Sequence, residues 1–332
     1  MVKDVKVTID LLKPIGKVGF GYPLILAPNS EKAVAYTECT SVADVKKAGF
    51  DEKTGVYKAA YLMFLQNNCP TKIAVCATTD SAVEALPALI TKDWRQLIVV
   101  SETDDAWATD IPAYIETTNK MYFATQATTP TEAKYKDYER TVAFVYTGTD
   151  DYSRVAAAAL VGATAGYEAG AITYKNIVIR GLTAEIMSAT ELEALHEKGA
   201  ITIVEKAGDI VTTEGIVGSG EYIDIIDSKD WVVQNIEYQT QKTLNNMAKV
   251  PYDNNGIAIL ESVALNVLKT AYNNGMIGTN DDGSPAYAVN YALKENSADE
   301  NIAARRYING QFSFVLAGAI HYVEINGEIS VA

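Results

Sequence analysis

The stretch that best indicates the fold class is residues 72–101, KIAVCATTDSAVEALPALITKDWRQLIVVS. It opens with an apolar run, continues with a helical segment that Asp80 or Ser81 can cap, and closes with a second apolar run. Near-continuous apolar strands that alternate with helices are typical of a parallel sheet buried on both faces. Residues 72–101 therefore predict a strand–helix–strand unit.

The same alternation extends from this unit in both directions. Strand candidates read PLILAP at 23–28, MYFATQATT at 121–129 and RTVAFVYT at 140–147, and helical segments separate them. We therefore predict an α/β domain over residues 21–190, with a mixed or parallel sheet covered by helices.

A different pattern follows over residues 191–318, where we predict a smaller α+β domain. Two strand candidates meet at a turn formed by Ala207 and Gly208, and two long helices follow at 222–248 and 256–274. A strand candidate, YAVNYAL at 287–293, and another at 311–316 complete this region.

Both ends of the chain alternate apolar and polar residues, as extended β arms would. Residues 1–20 are interpreted as an N-terminal arm and linker, since the connector at 11–23 is rich in glycine and proline. Residues 319–332 are interpreted as a C-terminal arm. The arm is either a straight strand or a local hairpin, since an Asn-Gly pair such as Asn326-Gly327 often closes a tight turn between short strands. Strands with unpaired backbone groups aggregate unless something pairs with them, so both ends predict partners.

Composition argues against several function classes. The 332-residue chain has a net charge of −14 and no basic run that would neutralise phosphates, so nucleic acid is not expected as a partner. Three cysteines without CxxC spacing predict neither a disulfide framework nor a zinc site. No apolar run is long enough to span a bilayer, so direct membrane insertion is not expected.

The sequence shows no group of polar residues arranged for catalysis. We therefore predict that the protein is not an enzyme and that it has no catalytic residue, no cofactor and no metal. The chain has two histidines, and GIVGSG at 215–220 favours a turn over a phosphate cradle because its glycine spacing is GxxGxG and no lysine follows. Arg305 and Arg306 leave two interpretations open: a solvated pair, or inter-subunit ion pairs with carboxylates of a neighbour.

The C-terminal third carries a resemblance to a known family. Residues 209–217, DIVTTEGIV, the helical region from 227 to 277, and residues 303–331, AARRYINGQFSFVLAGAIHYVEINGEISV, together resemble the C-terminal domain of contractile tail sheath proteins of phages and phage-like bacteriocins. The likeness covers residues 195–332, and residues 21–190 show only a compatible α/β pattern.

This resemblance implies a structural subunit that forms hexameric rings stacked around a tail tube. Contraction of the sheath would drive the tube through a target cell envelope. The implied partners are other copies of the chain, the tail tube protein, and baseplate and tail terminator proteins. The implied location is a virion or a phage-tail-like particle assembled in the cytoplasm of a host bacterium, with either a genome-filled head or none.

In that family the arms of one subunit add strands to a sheet in its neighbours. Carried over to this chain, the inter-subunit arm contacts fall on Lys3, Val5, Val7, Ile9, Ala319, His321, Val323, Ile325, Ile329 and Val331. The alternative hypothesis is an α/β enzyme or small-molecule-binding protein with a pocket at the strand ends of residues 21–190.

Overall fold

A computed structural model describes residues 21–100 and 110–324 of the chain. In this part of the chain a seven-stranded sheet has the order β2-β3-β1-β4-β5-β6-β7. Its strands are β1 (Tyr22–Ala27), β2 (Val34–Cys39), β3 (Ile73–Ala77), β4 (Trp94–Val99), β5 (Met121–Gln126), β6 (Thr141–Val145) and β7 (Ala200–Ile201). Only β2 runs antiparallel to its neighbour, and the other pairings are parallel.

Helices cover both faces of this sheet, as the sequence predicts. They are α1 (Val42–Lys47), α2 (Gly55–Leu65), α3 (Ala82–Leu89), α4 (Asp110–Glu116), α5 (Ala157–Thr164) and α6 (Ala189–His196). One hydrophobic cluster joins α2 and α5 to one face, and a second joins α3, α4 and α6 to the other. The mixed α/β prediction with a largely parallel sheet is confirmed.

Two helix starts follow the sequence and one does not. Ser81 forms a capping box at α3, and Ser188, which the sequence offers beside Thr190 as a helix start, forms one at α6. From the sequence, Asp150 or Asp151 is also predicted to cap a helical segment at 151–170; this prediction is wrong, because residues 151–156 form turns and α5 begins only at Ala157. The Ala157 amide donates instead to Thr125 Oγ1 at 3.0 Å, so a neighbouring strand supplies the acceptor.

The contact between α2 and α5 depends on Gly162. A Cβ atom at this position would lie 2.4 Å from Met63 Cα, a backbone atom that no side-chain rotation can move. We expect Gly162→Ala to lower the free energy of unfolding by roughly 1–3 kcal/mol, the usual cost of overpacking. Urea unfolding measures this loss. Gly278→Ala is the matched control, since its Cβ would lie 3.5 Å from the nearest atom and should change stability little; equal effects of the two variants would contradict the expectation.

The rest of the described chain contains further helices and two small sheets. The elements are β8 (Ile203–Lys206), β9 (Asp209–Thr212), α7 (Ile223–Asn246), α8 (Asn254–Asn273), β10 (Tyr287–Tyr291), α9 (Asp299–Ala303) and β11 (Gly310–Phe314). A 3-10 turn also occurs at Lys294–Asn296. The turn between β8 and β9 has positive φ at Ala207 (52°) and Gly208 (89°), as tight hairpins require. Both long helices lie where the sequence predicts them.

A third hydrophobic cluster lies among α7, α8, β10 and β11. The seven-stranded sheet meanwhile continues past residue 190, because β7 pairs with β6. The division into domains at 21–190 and 191–318 stays a prediction.

Candidate inter-subunit surface

The two-stranded sheet of β10 and β11 is the central feature of this surface. The strands pair antiparallel from Tyr287 opposite Phe314 to Tyr291 opposite Gly310. Just beyond the strands, the amide of Val315 donates to Ala286 O and the amide of Ala292 donates to Asn309 O, both toward the partner strand. Backbone groups of alternate residues therefore point outward on each strand. The outward amide of Tyr291 donates to Glu261 Oε1 at 3.2 Å, and no described strand pairs with either outer edge.

The two faces of this sheet differ in polarity. Tyr287, Val289, Tyr291, Phe312 and Phe314 face the cluster of α7 and α8 and are only partly buried there. The alternate residues of both strands are exposed. The sheet is thus amphipathic, as a half-covered antiparallel sheet is.

Exposed apolar side chains follow β11 along the chain. Val315 is 64% exposed, Ile320 85%, Tyr322 80% and Val323 65%. An apolar run that remains in water marks a segment expected to bind something. Residues 317–324 form no strand within their own subunit.

The predicted arm residues divide between described and undescribed parts of the chain. Ala319 and Val323 are exposed, and His321 is turned toward its own subunit. Outside the described residues lie Lys3, Val5, Val7, Ile9, Ile325, Ile329 and Val331. The assignment of these ten residues to inter-subunit contacts stays a prediction.

Arg305 and Arg306 lie on the same part of the molecule. Both side chains are exposed, and within the described residues neither forms an ion pair. Arg305 has a positive φ of 53°, and the Arg306 carbonyl accepts a hydrogen bond from the Tyr252 hydroxyl at 3.2 Å. Both interpretations of this pair, solvated or inter-subunit, stay open.

A buried charge network, which the sequence did not reveal, fastens α7 to the large sheet. Arg140 binds Asp230 through both guanidinium nitrogens, at 2.6 and 2.9 Å. Arg95 reaches Asp230 at 2.7 Å and Asp227 at 2.6 Å. The Tyr174 hydroxyl donates to the second oxygen of Asp227 at 2.8 Å. Two arginines thus meet two aspartates away from solvent.

The titration of this network reflects competing influences. Burial, the largest influence on Asp230, favours its neutral form, but Arg95 and Arg140 outweigh burial and hold its pKa below the usual range. Burial raises the pKa of Tyr174 far above its ordinary value, and the adjacent Asp227 carboxylate adds to this rise. Asp230 is therefore held ionised as the partner of the two arginines.

A small cavity and the placement of possible metal ligands bear on the enzyme alternative. A cavity of about 30 Å³ borders Gln96, Thr164, Tyr174 and Asp227, enough space for a water molecule but not for a metabolite. Over residues 21–100 and 110–324, no three His, Cys, Asp or Glu side chains are grouped to hold a metal ion. No helix in the same ranges combines the length and apolar character needed to cross a bilayer.

Comparisons with known proteins find matches to the structure of this chain but not to its sequence. No family model matches the sequence, and no curated protein matches it either. Among solved structures, the contracted helical sheath of the anti-feeding prophage (AFP) aligns over 99% of this chain and 99% of that chain, with a TM-score of 0.74 at 15% identity. The chain has the fold of a tail sheath protein.

Two further solved structures share this fold. A chain of the six-fold symmetrised AFP baseplate aligns over 100% of this chain and 99% of its own length, with a TM-score of 0.73 at 15% identity. The contracted PVC sheath complex of an extracellular contractile injection system aligns over 100% of this chain and 99% of that chain, with a TM-score of 0.67 at 12% identity. The resemblance inferred from residues 195–332 is confirmed at the level of the fold, and the sheath fold also includes the α/β part.

Proposed function

We propose that this protein is the structural subunit of a contractile tail sheath. It polymerises as stacked hexameric rings around a tail tube, and its contraction drives the tube through a target cell envelope. The full-length sheath fold supports this function, and six-fold symmetry of the AFP baseplate structure supports rings of six.

The observation that carries the proposal is the open sheet of β10 and β11 next to an exposed apolar segment. A two-stranded sheet is marginal in water, and an added strand extends its ladder and covers its half-buried aromatic residues. The C-terminal arm of a neighbouring subunit supplies such a strand at one edge, and an N-terminal arm supplies one at the other. Both kinds of contact are heterologous, which produces an open helical assembly.

A sheath shortens when nearly rigid subunits exchange one packing for another of lower free energy. Strand exchange suits this movement, since backbone pairing persists while the connector at residues 11–23 accommodates the new geometry. The network of Arg95, Arg140, Asp227 and Asp230 keeps α7 fixed to the large sheet. The subunit then moves as one body.

The partners in this function are other copies of the chain, the tail tube protein, and baseplate and tail terminator proteins. The particle is a virion or a phage-tail-like device, assembled in a host bacterial cytoplasm. No enzymatic step is required. The enzyme alternative gains no specific observation from the described residues.

Electron microscopy of the protein co-expressed with its tail tube tests the function directly. Tubes with sheath-like striations are expected, in extended or contracted form. A chain that stays strictly monomeric with its tube would overturn the proposal.

Photo-crosslinking tests strand exchange within those tubes. We expect p-benzoylphenylalanine in place of Tyr322, an 80% exposed ring, to crosslink to β10 or β11 of another subunit. Mixed heavy and light isotope labels, read by mass spectrometry, distinguish crosslinks between subunits from crosslinks within one. The same probe at Tyr61 on α2, which is 38% exposed, is the control and should not label β10 or β11. Crosslinks from position 322 that reach only the tube would contradict this arrangement.

A further inference from the structure

Among the described residues 318–324, one side chain is anchored to its own subunit. Residues 318–320 and 322–324 are all exposed, whereas the His321 side chain retains only 17% exposure. A segment held by packing alone would bury several side chains. This one is held at a single point.

The groups around His321 form a defined binding surface. His321 Nδ1 lies 3.1 Å from Glu214 Oε1, and the Tyr222 ring meets the imidazole edge-to-face with centroids 5.0 Å apart. Lys175 Nζ binds the other oxygen of Glu214 at 2.7 Å, which fixes the orientation of that carboxylate. Glu214 is itself only 15% exposed, so water screens the contact weakly.

A second carboxylate, Asp224, lies near enough to the imidazole for the two groups to interact electrostatically. Asp224 Oδ1 is buried without a hydrogen-bond partner among the described residues. Burial, the largest influence, raises the pKa of Asp224, and nearby His321 partly opposes that rise. His196 and Lys206 lie near Glu214, and His196 Nε2 is 3.0 Å from Thr213 Oγ1. The surface therefore offers carboxylate oxygens to an N–H donor.

We propose that Glu214, Tyr222 and Asp224 form a docking surface for His321 of the same chain, and that this latch holds the C-terminal arm on the free subunit until a neighbour takes it. The inference rests on the proposed sheath function, because the arm is the strand to be exchanged. Segment 319–324 is the occupant, since it lies on the surface in the structure. A latched arm lowers the fraction of assembly-competent subunits and so reduces their apparent affinity for a growing sheath by that fraction.

Chymotrypsin tests the latch on the monomer, because cleavage after Tyr322 requires a free arm. Glu214→Gln removes the charge on the body of the subunit and leaves the arm sequence intact. We expect about a tenfold faster release of the C-terminal fragment, the low end for a hydrogen bond to a charged group. Glu205→Gln makes the same change at an exposed site on β8 and should cleave like the wild type.

A double-mutant cycle with His321→Gln shows whether the two residues act through each other. The Glu214→Gln/His321→Gln chain should release its arm no faster than either single variant. Equal cleavage of the wild type and Glu214→Gln, or fully additive effects in the cycle, would overturn the latch.

Assembly on purified tail tubes, followed by light scattering, tests the restraint. Glu214→Gln should shorten the lag relative to the wild type and to Glu205→Gln. An unchanged lag overturns the restraint while leaving the sheath function intact. A wild type that never assembles overturns the sheath function, whatever the cleavage result.

Discussion

A chain ending at residue 318 is expected to fold normally and to form no sheath. Deletion of residues 319–332 removes the predicted C-terminal arm, and with it the strand that each subunit would give to its neighbour in the proposed sheath. Within the described part of that segment, only His321 has substantial contact with its own subunit. The loss therefore falls on assembly and hardly on folding.

The deletion should have a large effect because the same arm contact would be repeated in every subunit of the sheath. In the proposed sheath each subunit gives one arm and receives another, so the deletion would weaken every contact of that type in the lattice. Each 1.4 kcal/mol lost per contact lowers its equilibrium constant about tenfold. Striated tubes should be absent by electron microscopy at concentrations where the wild type assembles completely, while the melting temperatures of the two monomers should agree closely.

The matched control keeps the length of the chain. Replacement of residues 319–332 by a glycine and serine segment of equal length retains the backbone but lacks apolar alternation. It should also fail to assemble, because pockets between strands are filled by alternate side chains. Normal tubes from the truncated chain would show that the arm assignment is wrong.

The sequence predicted the layered architecture because its signals are local. Apolar runs, the serine caps of α3 and α6, and Pro251 between the long helices each report on neighbouring residues. The start of α5 was missed, because its first amide finds an acceptor on β5, at Thr125, which is 32 residues away along the chain. Tertiary contacts of this kind leave no periodic pattern.

The charge network was missed for the same reason. Arg95 and Asp230 are separated by 135 residues, and nothing in either local sequence indicates the partner. A weaker signal was present. Arg95 and Arg140 each precede an apolar run, and Asp227 and Asp230, three residues apart on a helix, lie on one face of it. Charged residues at the boundary of buried elements require partners of opposite charge. Arginines and aspartates in such positions can therefore be considered as candidate partners even when they are far apart in the sequence.

The partners of the chain ends were predicted from apolar alternation and from the family resemblance. The anchor at His321 was not, because alternation placed it on one face with Ala319 and Val323. In the free subunit these two neighbours are exposed and His321 is not. A strand pattern describes the face that a partner will cover, and it does not report how the segment lies before that partner arrives.

Asp230 binds both arginines of the charge network. Asp230→Asn is expected to lower the free energy of unfolding at pH 7 by roughly 3–5 kcal/mol, the usual cost of removing one partner from a buried ion pair. The amide keeps the shape of the side chain but turns an NH₂ group toward Arg95 or Arg140, both of which only donate. Two buried guanidinium groups would then depend on Asp227 and on backbone carbonyls.

The lowered pKa of Asp230 determines how the stability difference between wild type and Asp230→Asn changes with pH. The folded pKa of Asp230 is lowered, so its contribution to stability is complete above the ordinary pKa of an aspartate and is lost as the pH falls through the lowered value. The difference between wild type and variant should be largest near neutral pH and should shrink in strong acid. Urea unfolding at several pH values measures both, with Asp281→Asn, an exposed loop aspartate, as the control that changes the same charge.

Assembly separates the role of this network from that of the arm. Asp230→Asn retains β10, β11 and both chain ends, so the fraction that folds should still form striated tubes at low temperature. On heating, those tubes should lose their subunits to unfolding well before wild-type tubes do. A variant as stable as the wild type at pH 7 would show that α7 is held to the sheet by apolar packing alone, and that the paired charges contribute nothing to the rigidity of the subunit.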